Sequence, residues 1–220
     1  MNNKITEYRS IVFDCDGVLL NSNQAKTQAF YRAALAYGET AAQALVDYHV
    51  AHGGVSRYQK FAYFLEQLVP RGTEGPSLEA LLSHYAEQSH QALLECELAP
   101  GLAELRQATS QANWLIVSGG DQEELRDIFA QRGLADWFDG GIFGSPDAKD
   151  AIVKRERASG NIGAPALLAG DSRFDHVAAQ GAGLDFVFVS AWTEFAGWRD
   201  YCQTRQLARV ESVADLLSKV

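Results

Sequence analysis

Two aspartates near the start of the chain are the first residues whose types and spacing could do chemistry. Asp14 and Asp16 stand two positions apart, directly after a short apolar run, and Gly17 follows them. Such a run is typical of a buried parallel strand, and parallel α/β sheets bind ligands at the carboxyl ends of their strands. We therefore expect both carboxylates to face one catalytic site. The alternative is a loop in which the acids cap a helix.

A serine followed by glycines ends a second apolar run. Ser118 closes the run 114–118, and Gly119 and Gly120 precede a predicted helix. A serine at this point of a parallel sheet can bind a phosphate oxygen through its hydroxyl and the neighbouring backbone N–H groups. Alone it would indicate a helix N-cap. In register with the acids of the first strand, it indicates a phosphate site.

A second pair of acids follows a third apolar run, residues 166–170. Its strand end is predicted to place Asp171 beside Asp14, and Asp175 lies four residues later on the first turn of a helix. The helix dipole also favours acids in such a turn. Together with the first pair, however, these acids make an oxygen-rich site. Hard cations such as Mg²⁺ prefer oxygen ligands, so a magnesium site is predicted.

The elements that must position these residues alternate along most of the chain. Predicted strands cover residues 10–14, 114–118, 141–143, 166–170 and 186–190, and predicted helices cover 121–132, 148–158, 174–181, 194–205 and 212–219. Strands that alternate with helices of about ten residues indicate an α/β fold with a Rossmann-like parallel sheet.

The stretch between the first two strands departs from this alternation. It shows no convincing strand and has helical periodicity at 25–37, 41–50, 58–69 and 78–94. One crossover in a sheet needs only one helix, so we expect an inserted, all-helical domain. The predicted domains are an α/β core, residues 1–21 and 99–220, and a helical cap, residues 22–98.

Composition excludes several classes of protein. The 220 residues include 19 lysines and arginines against 28 acids, and the net charge of −9 gives no general attraction for nucleic acid or an anionic membrane. No segment approaches the roughly 20 apolar residues of a membrane span, and the N-terminus does not have the pattern of a signal peptide. The three scattered cysteines predict neither a metal site nor disulfides. We expect a cytoplasmic monomer or homodimer that acts on a small anionic substrate.

The segment DCDGVLLNS, residues 14–22, resembles the first motif of the haloacid dehalogenase superfamily. Three further segments follow in the family's order: Ser118 with its glycines, Lys149 after the loop 144–146, and the GDxxxD pattern of residues 170–175. The resemblance covers almost the whole chain. It implies the family's core fold with a helical C1 cap, similar to phosphoglycolate phosphatases and β-phosphoglucomutase-like phosphatases.

The resemblance implies a role for each matching residue. Asp14 is implied to attack phosphorus and form an aspartyl phosphate, and Asp16 to act as general acid and base. The dehalogenases of the family lack the second aspartate, so Asp16 favours phosphoryl transfer over carbon–halogen cleavage. Ser118 and Gly119 are implied to bind the phosphoryl group.

Charge balance explains the remaining family positions. Lys149 is implied to offset the charge of the nucleophile and the phosphate; Lys154 is the alternative lysine. A divalent cation must also neutralise the repulsion between a carboxylate and a phosphate dianion. The ligands implied for Mg²⁺ are Asp14, Asp16 through its backbone carbonyl, Asp171 and Asp175, which binds the metal or orients its waters.

The predicted cap contains a segment that resembles the substrate loop of the β-phosphoglucomutase group, residues 54–57. Its Arg57 could bind a substrate carboxylate or second phosphate with its planar guanidinium. The alternative is an arginine on the surface of a first helical turn. His52 and Lys60 nearby are interpreted as structural or solvated. Phosphonate hydrolysis would need a Schiff-base lysine from the cap, and the context of Lys60 does not match that chemistry.

These features predict a Mg²⁺-dependent phosphatase that acts on a small phosphorylated metabolite, a sugar phosphate or a phosphocarboxylate. The alternative is a phosphomutase of the β-phosphoglucomutase type, in which a second substrate hydroxyl instead of water receives the phosphoryl group. A catalytically inactive binding module is a further reading. It would be expected to lack Asp14, Asp16 or Asp171, and all three are present.

Overall fold

A parallel sheet of six strands lies at the centre of the computed structural model, which describes residues 4–219. The strands are β1 (Ser10–Phe13), β2 (Asn113–Asp121), β3 (Gly141–Ser145), β4 (Ala166–Gly170), β5 (Asp185–Val189) and β6 (Ala208–Val210). Their order across the sheet is β3-β2-β1-β4-β5-β6. The order reverses at β1, and a crevice at the carboxyl ends of β2, β1 and β4 follows from this topology.

The α-helices of the described residues are α1 (Asn23–Ala34), α2 (Glu39–Ala51), α3 (Arg57–Tyr63), α4 (Leu78–Glu95), α5 (Leu102–Ala108), α6 (Gln122–Gln131), α7 (Lys149–Ala158), α8 (Arg173–Gly181), α9 (Trp198–Thr204) and α10 (Leu216–Lys219). A π-helical turn, Phe64–Leu68, continues α3. None of these helices is long and apolar enough to cross a membrane.

Both faces of the sheet are covered by apolar side chains. In β1, Ile11 and Phe13 belong to one buried cluster and Val12 to the other, as the alternation of side chains along a strand requires. All four residues of β1 are buried. This central, doubly covered strand explains why the sequence shows a continuous apolar run rather than an alternating one.

Helices α1 to α4 form the inserted segment and have an apolar cluster of their own. Phe30, Leu45, Phe61 and Tyr85 pack together there. The chain enters and leaves this segment side by side, because Leu20 and Leu98 form an antiparallel bridge and the Ala99 N–H donates to the Leu19 carbonyl at 2.8 Å. The predicted domain boundaries, at 21/22 and 98/99, lie next to this bridge.

The structure confirms the α/β fold and corrects several predicted elements. Helix α9 begins at Trp198, after Gly197, and not at residue 194. The predicted helix 212–219 is a 3-10 turn, Val213–Asp215, followed by the single turn of α10. Strand β6 was not predicted, because only Val210 of its three residues is buried and no period can show. Helix α5 was likewise not predicted, because seven residues are too few to establish helical periodicity.

Candidate active site

The predicted catalytic residues converge at the carboxyl edge of the sheet. Asp14 directly follows β1, and Asp171 directly follows β4, which pairs with β1. Ser118 lies in β2, on the other side of β1. The first turn of α8 contributes Asp175, and α7 begins at Lys149. The topology therefore brings together residues that are up to 161 positions apart, within the crevice expected for this strand order.

Three buried carboxylates form the centre of the site. Asp14, Asp171 and Asp175 each offer an oxygen that lies within 4.8 Å of the others. Burial and the nearby Asp175 raise the pKa of Asp14 to about 7. Burial and the nearby Asp14 raise the pKa of Asp171 well above its ordinary value. A cation would favour the charged form of these groups, and their hard oxygen atoms suit Mg²⁺.

Asp175 and Asp171 differ in how many hydrogen-bond and charge partners they already have. Asp175 accepts hydrogen bonds from the Ser172 N–H at 3.0 Å and hydroxyl at 2.6 Å, and it pairs with Lys149. Asp171 accepts one from Asn23 at 2.9 Å. Asp175 is therefore the most heavily engaged of the three, which suits the predicted role of orienting metal-bound water.

Close packing at Gly17 keeps Asp171 near the first motif. Gly17 has a φ of +78°, and a Cβ at this position would collide with the Asp171 carboxylate and with Asn23. Only glycine combines this left-handed backbone with so close an approach. The glycine of the first motif is therefore required by the site and not only by the turn.

Lys149 lies inside the acid cluster, and its predicted catalytic role stays a prediction. Its Nζ lies 2.8 Å from Asp14 Oδ1 and also pairs with Asp175, and its side chain is fully buried. Burial disfavours its charge, but Asp14 and Asp175 outweigh that effect and raise the pKa of Lys149. Lys154, the alternative, is largely exposed and lies 3.4 Å from Asp150.

Asp16 lies beside the acid cluster and has partners of its own. It accepts a hydrogen bond from the Ser22 hydroxyl at 2.6 Å, and its other oxygen lies 2.6 Å from Lys26 Nζ. Burial alone would raise the pKa of Asp16, but Lys26 and Ser22 hold it below its ordinary value. Lys26 and Ser22 therefore favour the charged form of Asp16, whereas burial and Asp175 favour the neutral form of Asp14.

Sequence reasoning missed Asn23 and Lys26. Both lie on α1, the first helix of the insert; Asn23 contacts Asp171 of the core, and Lys26 contacts Asp16. Their spacing of three residues places them on one helix face. That spacing, directly after the first motif, is the signal that could have revealed them.

The serine motif combines a buried hydroxyl with partly buried glycine backbone that lines the cavity. Ser118 is fully buried, and its hydroxyl accepts a hydrogen bond from the Gly120 N–H at 2.9 Å. Gly119 and Gly120 line the cavity above the acids. A Cβ on Gly119 would collide with the Gly54 carbonyl of the insert, so this glycine permits contact between the two parts of the chain. The predicted phosphoryl-binding roles of Ser118 and Gly119 stay predictions.

A cavity of about 400 Å³ lies between the acids and the insert. Asp14, Asp16 and Asp171 line it from the core, and aromatic residues such as Phe30 and Tyr85 line it from the insert. Its size is that of a small-molecule pocket. The acids are thus presented to a small, partly enclosed space.

Arg57 is buried and already has a partner. Its guanidinium pairs with Glu124 on α6 and lies 4.9 Å from the Tyr85 ring centroid. Although Arg57 lines the cavity, its role in binding substrate stays a prediction. Lys60, interpreted from the sequence as structural or solvated, is only 2% exposed and lines the cavity as well. His52 also lines it, and its Nδ1 lies 2.8 Å from the Tyr48 carbonyl.

Comparison with known proteins gives a family and a fold. The model of the haloacid dehalogenase-like hydrolase family matches residues 8–183. No curated protein matches the chain.

Among solved structures, a predicted phosphoglycolate phosphatase from Haemophilus somnus 129pt is 17% identical, with a TM-score of 0.74, over 96% of this chain and 97% of that one. CbbY from Rhodobacter sphaeroides in complex with phosphate is 22% identical, with a TM-score of 0.66, over 95% and 96%. A mutant of CbbY in complex with xylulose-(1,5)bisphosphate is 19% identical, with a TM-score of 0.69, over 94% and 96%. At these identities the likeness shows the fold, and that fold extends over nearly the whole chain.

Proposed function

Because the chain belongs to the haloacid dehalogenase-like hydrolase family, we propose that it is a phosphatase that hydrolyses the phosphate monoester of a small metabolite through an aspartyl phosphate on Asp14. The observation that carries this proposal is the pair of aspartates with separate environments. Asp14 pairs with Lys149 in the acid cluster, whereas Asp16 pairs with Lys26 of the insert. Nucleophile and acid–base group are thus two distinct residues.

In the first step, a carboxylate oxygen of Asp14 attacks phosphorus, and the bond from phosphorus to the alcohol oxygen breaks. Lys26 favours the charged form of Asp16, but the negative charge of a bound phosphate ester opposes this effect and favours the protonated form. Protonated Asp16 donates its proton to the departing oxygen. In the second step, Asp16 takes a proton from water, the water oxygen attacks phosphorus, and the bond to Asp14 breaks. Inorganic phosphate and free alcohol are the products, and both aspartates return to their starting states.

The residues around the acids support the charge requirements of these steps. Lys149 stabilises negative charge at Asp14 and at the phosphoryl group beside it. Mg²⁺, for which Asp14, Asp171 and the Asp16 carbonyl are the proposed ligands and Asp175 the orienting acid, would supply charge neutralisation for a carboxylate that approaches a dianion. The insert above the cavity limits the access of bulk water.

The substrate class proposed is a sugar phosphate or a phosphocarboxylate. The cavity volume of about 400 Å³ suits a small metabolite, and the net charge of −9 supports neither nucleic acid nor a membrane surface as partner. The structural neighbours named as a phosphoglycolate phosphatase and as CbbY with a sugar bisphosphate support the same class. We further propose that the enzyme works in the cytoplasm as a monomer or homodimer.

The proposal is tested by incubating purified protein and Mg²⁺ with a panel of phosphate monoesters and measuring released phosphate. We expect hydrolysis of at least one sugar phosphate or phosphocarboxylate, and none by an Asp14→Asn variant. Conversion of a sugar phosphate into its positional isomer without phosphate release would instead identify a phosphomutase. Absence of both reactions across the panel would contradict a phosphoryl-transfer enzyme.

A further inference from the structure

One buried lysine in the cavity has no acidic partner. Lys60 of α3 is 2% exposed, and its Nζ lies 2.7 Å from His49 Nδ1 and 5.5 Å from the centroid of the Phe30 ring. Within residues 4–219, no carboxylate lies within 4 Å of that nitrogen. Lys26 and Lys149, also buried near the catalytic acids, each have such a partner.

The hydrogen bonds of Lys60 leave donors available to a ligand. An ammonium group has three N–H donors. One is directed at His49, whose burial and proximity to Lys60 keep its pKa well below the ordinary value, so that a neutral ring can accept at Nδ1. In the part of the chain that the structure describes, the other donors meet no acceptor. Lys60 and His49 of the insert line the same cavity as the acids of the core.

The surroundings of Lys60 disfavour its charged form. Burial and the charge of the nearby Lys26 outweigh the attraction of Asp16 and Glu194 and lower the pKa of Lys60 to about 7. A buried charge without a counter-charge in direct contact is unfavourable and is expected at sites that receive that contact from a ligand. An anionic group of a substrate would provide that charge and accept short, charge-assisted hydrogen bonds.

We propose that Lys60, oriented by His49, binds a second anionic group on the part of the substrate that leaves with the alcohol. This rests on the proposed phosphatase function and narrows its substrates to phosphate monoesters whose alcohol carries a carboxylate or a further phosphate. Arg57, the cap cation indicated by the sequence, is already paired with Glu124, whereas Lys60 is free to meet such a group.

Matched substrate pairs test this role. Phosphoglycolate and 2-hydroxyethyl phosphate differ by a carboxylate, and glucose 1,6-bisphosphate and glucose 1-phosphate differ by a second phosphate. In at least one pair, we expect the wild-type enzyme to prefer the member that carries the second anionic group. Lys60→Met should lower kcat/KM for that member by roughly tenfold to a hundredfold. For the member that lacks the second anionic group, the loss should be less than about twofold.

Two controls separate binding from folding. Lys154→Met removes the same charge from an exposed helix position and should leave both members of a pair unaffected. Thermal unfolding gives a readout besides activity: replacing an unpaired buried ammonium by methionine should leave Tm unchanged or raise it. A structural lysine would instead lower Tm when replaced.

Several outcomes would overturn the proposal. One is that Lys60→Met lowers kcat/KM equally for both members of a pair, or for neither. Another is that the wild-type enzyme prefers the members without a second anionic group. A lower Tm for Lys60→Met would also contradict it. Trapping of Lys60 by borohydride in the presence of a carbonyl-bearing phosphate ester would also overturn it, because the amine would then be a nucleophile. If the wild-type protein hydrolyses only phosphate esters of uncharged alcohols, this inference is wrong while the proposed function stands. If it hydrolyses no ester, both fall.

Discussion

The ion pair between Arg57 and Glu124 joins the insert to the core at the edge of the cavity. The two side chains are only 7% and 10% exposed. A second contact lies beside it, where the Tyr58 hydroxyl donates to Asp121 at 2.7 Å. These residues connect the start of α3 with the start of α6. We therefore expect Arg57 to act chiefly by holding the insert over the site.

The burial of the pair sets the size of the expected effect. Removing one member of a buried ion pair costs about 3–5 kcal/mol, because the other charge is left without a partner. In these variants the insert can move away from the core, so that water solvates the remaining charge. The cost of burying that charge again then opposes closure of the insert over the site. We expect Arg57→Met and Glu124→Gln each to lower kcat/KM by roughly tenfold to a thousandfold, or about 1.4–4 kcal/mol.

A double-mutant cycle checks the reasoning. The assay is phosphate release from the best substrate of the panel, with the exposed neighbour Glu123→Gln as matched control. The double variant should be no slower than the slower single variant, because one interaction is removed in all three proteins. If Glu124→Gln keeps wild-type kcat/KM while Arg57→Met loses it, the anchoring role is refuted and Arg57 reads the substrate directly, as the sequence predicts.

Three further predictions concern catalysis, metal and pH. Asp14→Asn should abolish phosphate release and aspartyl-phosphate formation, since an amide is a far weaker nucleophile; substantial turnover by the purified variant would remove Asp14 as nucleophile. Excess chelator should abolish activity, Mg²⁺ should restore it, and Ca²⁺ should inhibit because it takes more ligands in a looser geometry; full activity in chelator would contradict the metal role of Asp14 and Asp171. Because the pKa of Lys60 falls from 10.5 to about 7 on folding, the unfolded chain binds more protons between these values. Lys60 should therefore make the free energy of unfolding rise from pH 7 to 10, and urea titrations should show a smaller rise for Lys60→Met; identical slopes would contradict the lowered pKa.

Local features of the sequence were sufficient to predict the fold class and the acid set. Apolar runs that stop at acids or serine mark strands, because a central parallel strand is buried on both faces and its carboxyl end opens onto the site. Asp14 and Asp171 could be placed together in this way. The long helical interval between the first strands likewise indicated an insert. These inferences depend only on periodicity and on short-range spacing.

The choice between Lys149 and Lys154 required the resemblance to the family as well as the sequence, and the structure shows the physical reason. Five residues along a helix turn the side chain to a different face. Helix α7 directs Lys149 to the buried acids and Lys154 to solvent. The orientation of a helix about its axis is set by packing, which short-range spacing does not specify.

Only the tertiary structure decided how the insert takes part in the site. Arg57 and Glu124 are 67 positions apart, and Asn23 and Asp171 are 148 apart. The pairing of Arg57 and the isolation of Lys60 follow from how the insert docks on the core. Arg57 and Lys60 are three residues apart and lie on one face of α3. Even so, Arg57 meets Glu124 of the core, whereas Lys60 meets His49 of the insert. The sequence alone therefore identified a cation-bearing cap segment, while docking determined which cation is paired and which is left for a ligand.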